Sequence, residues 1–378
     1  MPNQLQQLAS AGQSIWLDNI RRSMFASGEL HRLIEAGLRG MTSNPTIFEK
    51  AIDSGNDYDE QLKSLVGKES DPQILFEDFA VDDIQHALDE FRKLYDETSG
   101  GDGFVSLEVS PLLAHDTAGT IEMAKRLWKE VGRPNLMIKI PGTPEGAPAI
   151  TAAIADGINV NVTLLFSLAS YKVAANAYIA GLEQRAAAGK PIDRLASVAS
   201  FFLSRIDTKV DKELEAKIAA GDKQLESLLG KAAIANAKLA YEEFEKIFSS
   251  ERFAKLRAKG AKPQRPLWAS TSTKNPKYYD LMYVETLVGV DTVNTIPPAT
   301  LDAVLDHGKI TPNTVKSDVA GAHKLFDDLK KAGISIDRIT DELTVEGVQQ
   351  FADSYNKMLE AIGEKQKALA ASLTSTPR

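Results

Sequence analysis

A lysine inside an apolar strand is the residue that most constrains the chemistry of this sequence. In the segment NLMIKIP (135–141), side chains of a strand alternate between faces, so Leu136, Ile138 and Ile140 share one face and Met137 and Lys139 the other. An ammonium buried there is costly unless it is paired or neutralised. Burial lowers a lysine pKa from its usual ~10.4 and frees an amine to attack a carbonyl. A structural ion pair with Glu108 or Asp18 is the alternative reading. Amine attack forms an imine, and each stage of imine chemistry moves protons, so acid and base groups are needed nearby. Two carboxylates suit that need, one serving the imine and the other a substrate hydroxyl.

The same parity places polar side chains on the inner face of four more segments. In FVSLEV (104–109) Ser106 and Glu108 oppose Val105, Leu107 and Val109. In NVNVTLLF (159–166) Asn159, Asn161 and Thr163 oppose Val160, Val162 and Leu164. SIWLD (14–18) turns Ser14, Trp16 and Asp18 inward, and GMTSN (40–44) offers Thr42 and Asn44. Each residue alone reads equally as a capped strand end or a hydrogen-bonded core polar group. Five strands repeating the pattern predict that Asp18, Asn44, Glu108, Lys139, Asn161 and Thr163 converge.

The elements that must position them alternate in kind. Three further short runs, LASVAS (195–200), PLWAS (266–270) and TVNTIP (292–297), bring the candidate strands to eight. Between them lie segments with helical spacing, such as Leu75, Phe79, Ile84, Leu88, Phe91 and Tyr95. Eight strands separated by helices predict an α/β fold, a closed (β/α)8 TIM barrel, with an open doubly wound sheet as runner-up. In such barrels the chemistry sits at the C-terminal ends of the strands, where most of the polar residues fall. A barrel typically needs ~250 residues. The remainder predicts helical insertions within 45–103 and 201–265, the latter as solvated helices, and a C-terminal helical extension. The basic stretch LRAKGAKPQRP (256–266) reads as flexible. Val348, Phe351, Tyr355, Leu359 and Ile362 form an apolar stripe that predicts docking of the tail on the barrel. One domain over 1–378 is expected, with the barrel in about 1–310 and the extension in about 311–378.

Composition narrows the rest. Of 378 residues 43% are hydrophobic and 25% charged, with 44 basic against 52 acidic side chains for a net charge of −8. That balance argues against nucleic acid or an anionic membrane as the main partner. Cysteine is absent, which excludes disulfides, thiolate zinc sites and a cysteine nucleophile and suits a reducing, cytoplasmic setting. No signal-peptide pattern opens the chain and no apolar run approaches the ~18 residues of a membrane span. The five histidines are scattered, without an i, i+4 metal pair. Trp16, two positions before Asp18, is a candidate pocket residue.

The segments WLD, GMTSNPTIF, VSLEV, MIKIPGT and NVNVTLLFS, in this order around the lysine strand, resemble the transaldolases. The resemblance runs from Asp18 to about Pro297, and the overall length is similar to a longer bacterial-type branch. It implies a barrel enzyme of the pentose phosphate pathway that moves a dihydroxyacetone unit between phosphorylated sugars through a lysine Schiff base, with no metal or organic cofactor. Lys139 would form the imine. Asp18 would exchange the proton of the sugar hydroxyl, Glu108 would act through a water positioned with Thr163, and Asn44 and Asn161 would hold hydroxyls of the three-carbon unit.

Two segments are similar to the family's phosphate end, ASFFLSR with Ser200 and Arg205 and ASTSTKN with Ser270 and Lys274. Many relatives have proline where this chain has Phe201, and arginine where it has Lys274; lysine supplies a point charge without a bidentate fork. A helix-opening surface arginine and a loop lysine beside Asn275 are the alternative readings. Two other functions fit the same residues, a Schiff-base aldolase without transfer and a non-catalytic sugar-phosphate-binding barrel. Oligomeric state is not legible.

Overall fold

The computed structural model describes residues 2–53 and 56–375. Eight parallel strands, β1 (Gln13–Asp18), β2 (Gly40–Thr42), β3 (Phe104–Glu108), β4 (Leu136–Pro141), β5 (Val160–Leu165), β6 (Ser197–Phe202), β7 (Arg265–Ala269) and β8 (Thr292–Ile296), pair in sequence order. Closure excludes the open sheet, because β8 pairs with β1 from Gln13↔Thr292 to Leu17↔Ile296. The eight strands are those the sequence predicts, and the fold is a (β/α)8 barrel.

Of the helices around the barrel, α1 (Pro45–Asp53), α2 (Pro72–Glu97), α3 (Leu168–Ala187), α4 (Ser204–Ala219), α5 (Ala232–Phe248), α6 (Val319–Lys331) and α7 (Ile336–Ser375) matter most here, and α1, α4 and α7 reach the barrel mouth. Local sequence starts them. Asp71 accepts from the Gln73 amide with Pro72 at the first helical position of α2, and Ser167 and Ser170 form a reciprocal cap on α3, each satisfying amides that a helix leaves unpaired.

Three expectations are corrected. The alanine-rich α5 is not solvated: Ala233, Ala237, Leu239, Ala240 and Phe244 are buried, because small side chains let it pack closely between α3, α6 and β7. The basic stretch 256–266 is fixed rather than loose, with Tyr178 Oη donating to the Lys262 carbonyl (2.9 Å) and Gln264 Nε2 to Ser197 Oγ (2.8 Å). In β5 the alternation breaks. Leu164 has a φ of 60°, a left-handed value that costs a non-glycine residue ~1–2 kcal/mol, and the register slips between Val162 and Leu165. The bulge turns Leu164 toward α7, where a Cβ on Gly347 would meet Leu164 Cδ2 at 2.9 Å.

The last helix crosses the mouth and packs mainly on α1, with further contacts to α2, α4 and β5. Its Phe351, Tyr355, Met358 and Ile362 are buried, each worth about 1.5–3 kcal/mol if fully removed from water. Tyr355 meets Phe76 of α2 edge-on at 5.7 Å, and Phe76 meets Phe48 of α1 at 5.3 Å. Lys209 of α4 pairs with Glu342 and Glu346 at 2.8 and 2.7 Å, and Thr46 Oγ1 donates to Ser354 Oγ at 2.9 Å.

Candidate active site

A cavity of about 330 Å³ opens at the C-terminal ends of the strands. Lys139 lies in its wall and is only 5% exposed. Its Nζ donates to the Ser43 carbonyl at 3.1 Å and lies 3.2 Å from Glu108 Oε2. The neighbours follow from register, since Glu108 of β3 stands beside Lys139 of β4. Burial pushes the Glu108 carboxyl above its ordinary range; the Lys139 ammonium pulls against that and the Asp18 charge adds to it. Neither Glu108 oxygen makes a well-directed hydrogen bond, and Thr163 Oγ1 is buried without a partner. Such groups are expensive to leave unsatisfied, and they flank the lysine.

Asp18 reaches the same cavity, its Oδ1 accepting from Thr42 Oγ1 at 2.9 Å. Asn44 lines it too. The Asn44 Oδ1 accepts from the Ile47 amide and caps α1, which leaves its amide nitrogen for a ligand. Asn161 is the exception. Its side chain does point into the barrel, but one layer lower, with Nδ2 donating to Ser106 Oγ (3.0 Å) and Oδ1 accepting from Ser200 Oγ (2.7 Å). Asn161 does not line the cavity; it orients Ser200, which does.

Across the mouth, Arg205, Ser270 and Lys274 line the wall. Arg205 opens α4 over the ring of Phe202 (5.4 Å), and its Nη1 is buried without a hydrogen-bond partner. Burial works against its charge, with Glu346 opposing that effect. Ser270 turns with a φ of 55° and meets Ser204 Oγ at 2.8 Å. Lys274 Nζ donates to Ser272 Oγ at 2.7 Å. Partial desolvation at the wall, then Arg205 and Lys50, lower the Lys274 ammonium.

Two Asp–Tyr pairs bind the loop after β7 to α4. Tyr278 Oη donates to Asp211 Oδ2 at 2.7 Å and Tyr283 Oη to Asp207 Oδ2 at 2.6 Å. Asp207 also accepts from the Ala233 amide at 2.8 Å at the start of α5. Burial pushes its carboxyl up to about 6, against these hydrogen bonds.

Sequence reasoning missed Lys50 of α1, Phe351 of α7, Ser272 and Thr295 of the wall. Lys50 lies six residues after Asn44, which was one usable signal. Phe351 belongs to the recognised apolar stripe, yet nothing in the stripe says which member reaches the cavity. Trp16 is corrected: it is fully buried at the opposite end of the barrel, where its ring meets Gly40 and its Nε1 approaches Asp102 Oδ1 at 3.4 Å. Among the described residues, no group of three or more His, Cys, Asp or Glu side chains is arranged to hold a metal ion. No described helix is long and apolar enough to cross a membrane.

Fold and cavity together define a class, the (β/α)8 barrels whose mouth holds a buried lysine beside carboxylates, with cationic side chains across the opening. Within that class the chain belongs to the transaldolase/fructose-6-phosphate aldolase family, whose model matches residues 15–362. It is 48% identical over 375 residues to the transaldolase of Trichodesmium erythraeum (strain IMS101), covering 97% of this chain and 98% of the relative. It is 49% identical over 377 residues to transaldolase 2 of Nostoc sp. (97% and 99%), and 48% over 366 residues to the transaldolase of Thermobifida fusca (97% and 99%).

Proposed function

We propose that this chain is a transaldolase acting through an imine on Lys139. It exchanges sedoheptulose 7-phosphate and glyceraldehyde 3-phosphate for erythrose 4-phosphate and fructose 6-phosphate, a reaction of the non-oxidative pentose phosphate pathway in the cytoplasm. The barrel of about 1–310 and the extension of about 311–378 act as one catalytic unit. The observation that carries the reading is the buried Lys139 amine 3.2 Å from Glu108 Oε2.

Lys139 attacks the donor ketone as the free amine, and Glu108, whose carboxyl is raised by burial, exchanges the protons of carbinolamine formation and dehydration. Thr163 Oγ1, unpartnered in the wall, orients the oxygen that leaves or enters as water. Asp18 accepts the proton of the sugar hydroxyl as the carbon–carbon bond breaks and returns it when the bond forms to the acceptor. Asn44 and Ser200 hold hydroxyls of the three-carbon unit, with Asn161 setting Ser200. Arg205, Ser270 and Lys274 take the phosphate; a buried guanidinium nitrogen without a partner supports this, because an anion satisfies it.

Borohydride trapping with fructose 6-phosphate, followed by peptide mass mapping, tests the reading. A three-carbon adduct on Lys139 that is missing from Lys139→Met is expected. No adduct, under conditions where the sugar demonstrably binds, overturns it in favour of a sugar-phosphate-binding barrel. Acceptor dependence separates transfer from simple cleavage, since fructose 6-phosphate turnover requires erythrose 4-phosphate only for a transaldolase.

A further inference from the structure

We propose that Phe351, on the C-terminal helix, decides whether the three-carbon unit on Lys139 is passed to an acceptor or lost as free dihydroxyacetone. The proposal rests on the transaldolase reading above. Cleavage of the donor imine breaks its C3–C4 bond. The C4 hydroxyl proton passes to a carboxylate, the aldehyde leaves, and the bond's electron pair stays behind as an enamine on the lysine nitrogen. Transfer gives that pair to the acceptor's aldehyde carbon. Loss takes another course: a proton adds to the enamine carbon, one water adds across the resulting C=N bond, and dihydroxyacetone and the free amine separate.

The surroundings of Lys139 are unequal. Glu108 Oε2 and the Ser43 carbonyl, at 3.2 and 3.1 Å, form the polar side. The face of Phe351, with its centroid 5.8 Å from Nζ, forms an apolar side. Phe351 lines the cavity yet is only 5% exposed. An apolar wall at that place delivers no proton and excludes the water needed for loss. It comes from outside the strand and helix repeat of the barrel, on a helix clamped by Lys209 to Glu342 and Glu346 and by Thr46 to Ser354. Retention of the intermediate is thereby assigned to the extension, and bond making to the strands.

The test compares the full chain with Phe351→Ala and Phe351→Leu, the second keeping most of the apolar volume should the first fail to fold. Dihydroxyacetone release from fructose 6-phosphate without acceptor is measured against transfer to erythrose 4-phosphate. The ratio of release to transfer is expected to rise in Phe351→Ala by on the order of tenfold, equivalent to ~1.4 kcal/mol of lost discrimination, and less in Phe351→Leu. General damage lowers both rates together and leaves the ratio alone. An unchanged ratio in the folded variants, whether or not both rates fall together, overturns the proposal. A wild-type chain that cleaves fructose 6-phosphate equally fast with and without acceptor overturns the transaldolase reading itself.

Discussion

Lys139 attacks a carbonyl only as the free amine, so its readiness depends on the group 3.2 Å away. Glu108 is buried, and burial raises its carboxyl despite the opposing ammonium of Lys139. A carboxylate so raised takes and returns protons closer to neutral pH than an ordinary one at ~4.3. As pH falls through that raised value Glu108 becomes protonated and the base is lost. The acidic limb of kcat/KM is therefore expected above the ordinary carboxylate range. Glu108→Gln keeps the shape but removes the titration: a fall in kcat of roughly 10²–10⁴-fold is expected, with loss of that limb. A pH series of kcat/KM on both proteins checks it. The same limb persisting in the variant assigns it to another group, and the neighbouring Asp18 then becomes the base to test.

Elements place these residues, and the loop after β7 shows how. It carries Ser270, Ser272 and Lys274, and Tyr278 ties it to Asp211 of α4, the helix that opens with Arg205. A hydrogen bond to a charged acceptor contributes about 1.5–3 kcal/mol. Tyr278→Phe is thus expected to raise KM for phosphorylated substrates by roughly tenfold or more, with kcat nearly unchanged because Lys139 is untouched. Equal falls in kcat and kcat/KM would place the pair with the chemistry instead. The strands were legible in the sequence because apolar residues facing helices alternate with polar residues facing inward, and the same parity brought Lys139, Asp18 and Thr163 to one cavity with Glu108 buried against Lys139. Parity reports a face and not a height, however. Trp16 and Asp18 share a face only two residues apart, yet the Trp16 ring packs beside Asp102 and Arg265 while Asp18 reaches the cavity, and Asn161 sits a layer below the cavity. The Leu164 bulge, which moves one leucine from the helix layer to α7, leaves no mark in the alternation. Lys50 and Phe351 arrive by helix crossings set by tertiary packing, and the Tyr283–Asp207 pair joins residues 76 apart in sequence.

The whole molecule depends on closing the barrel, and its closed end opposite the mouth is held by one carboxylate. Asp102, in the turn before β3, accepts from Arg39 Nε (2.6 Å) and Ser14 Oγ (2.6 Å) and pairs with Arg265 Nη2 at 3.1 Å. These partners lie just before β2, on β1 and at the start of β7, so one side chain ties together four segments distant in sequence. Arg265 also lies over the Trp16 ring at 5.8 Å. Burial would raise the Asp102 carboxyl, but Arg265 and Arg39 together outweigh it and hold it below the usual range. The folded value is thus below the unfolded one, near ~3.9. The stabilisation is complete above the unfolded value and is lost as pH falls from there through the depressed folded value. Asp102→Asn leaves two guanidinium groups without their counter-charge at neutral pH. Removing one partner from a buried ion pair costs about 3–5 kcal/mol, and a loss of that order is expected in urea unfolding at pH 7. The gap between the two proteins should narrow on acidification below the ordinary aspartate range. Since the cluster lies at the far end from Lys139, kcat/KM per folded molecule is expected to stay at the wild-type value. A variant of full stability and reduced kcat/KM would remove Asp102 from barrel closure and tie this end of the molecule to the reaction.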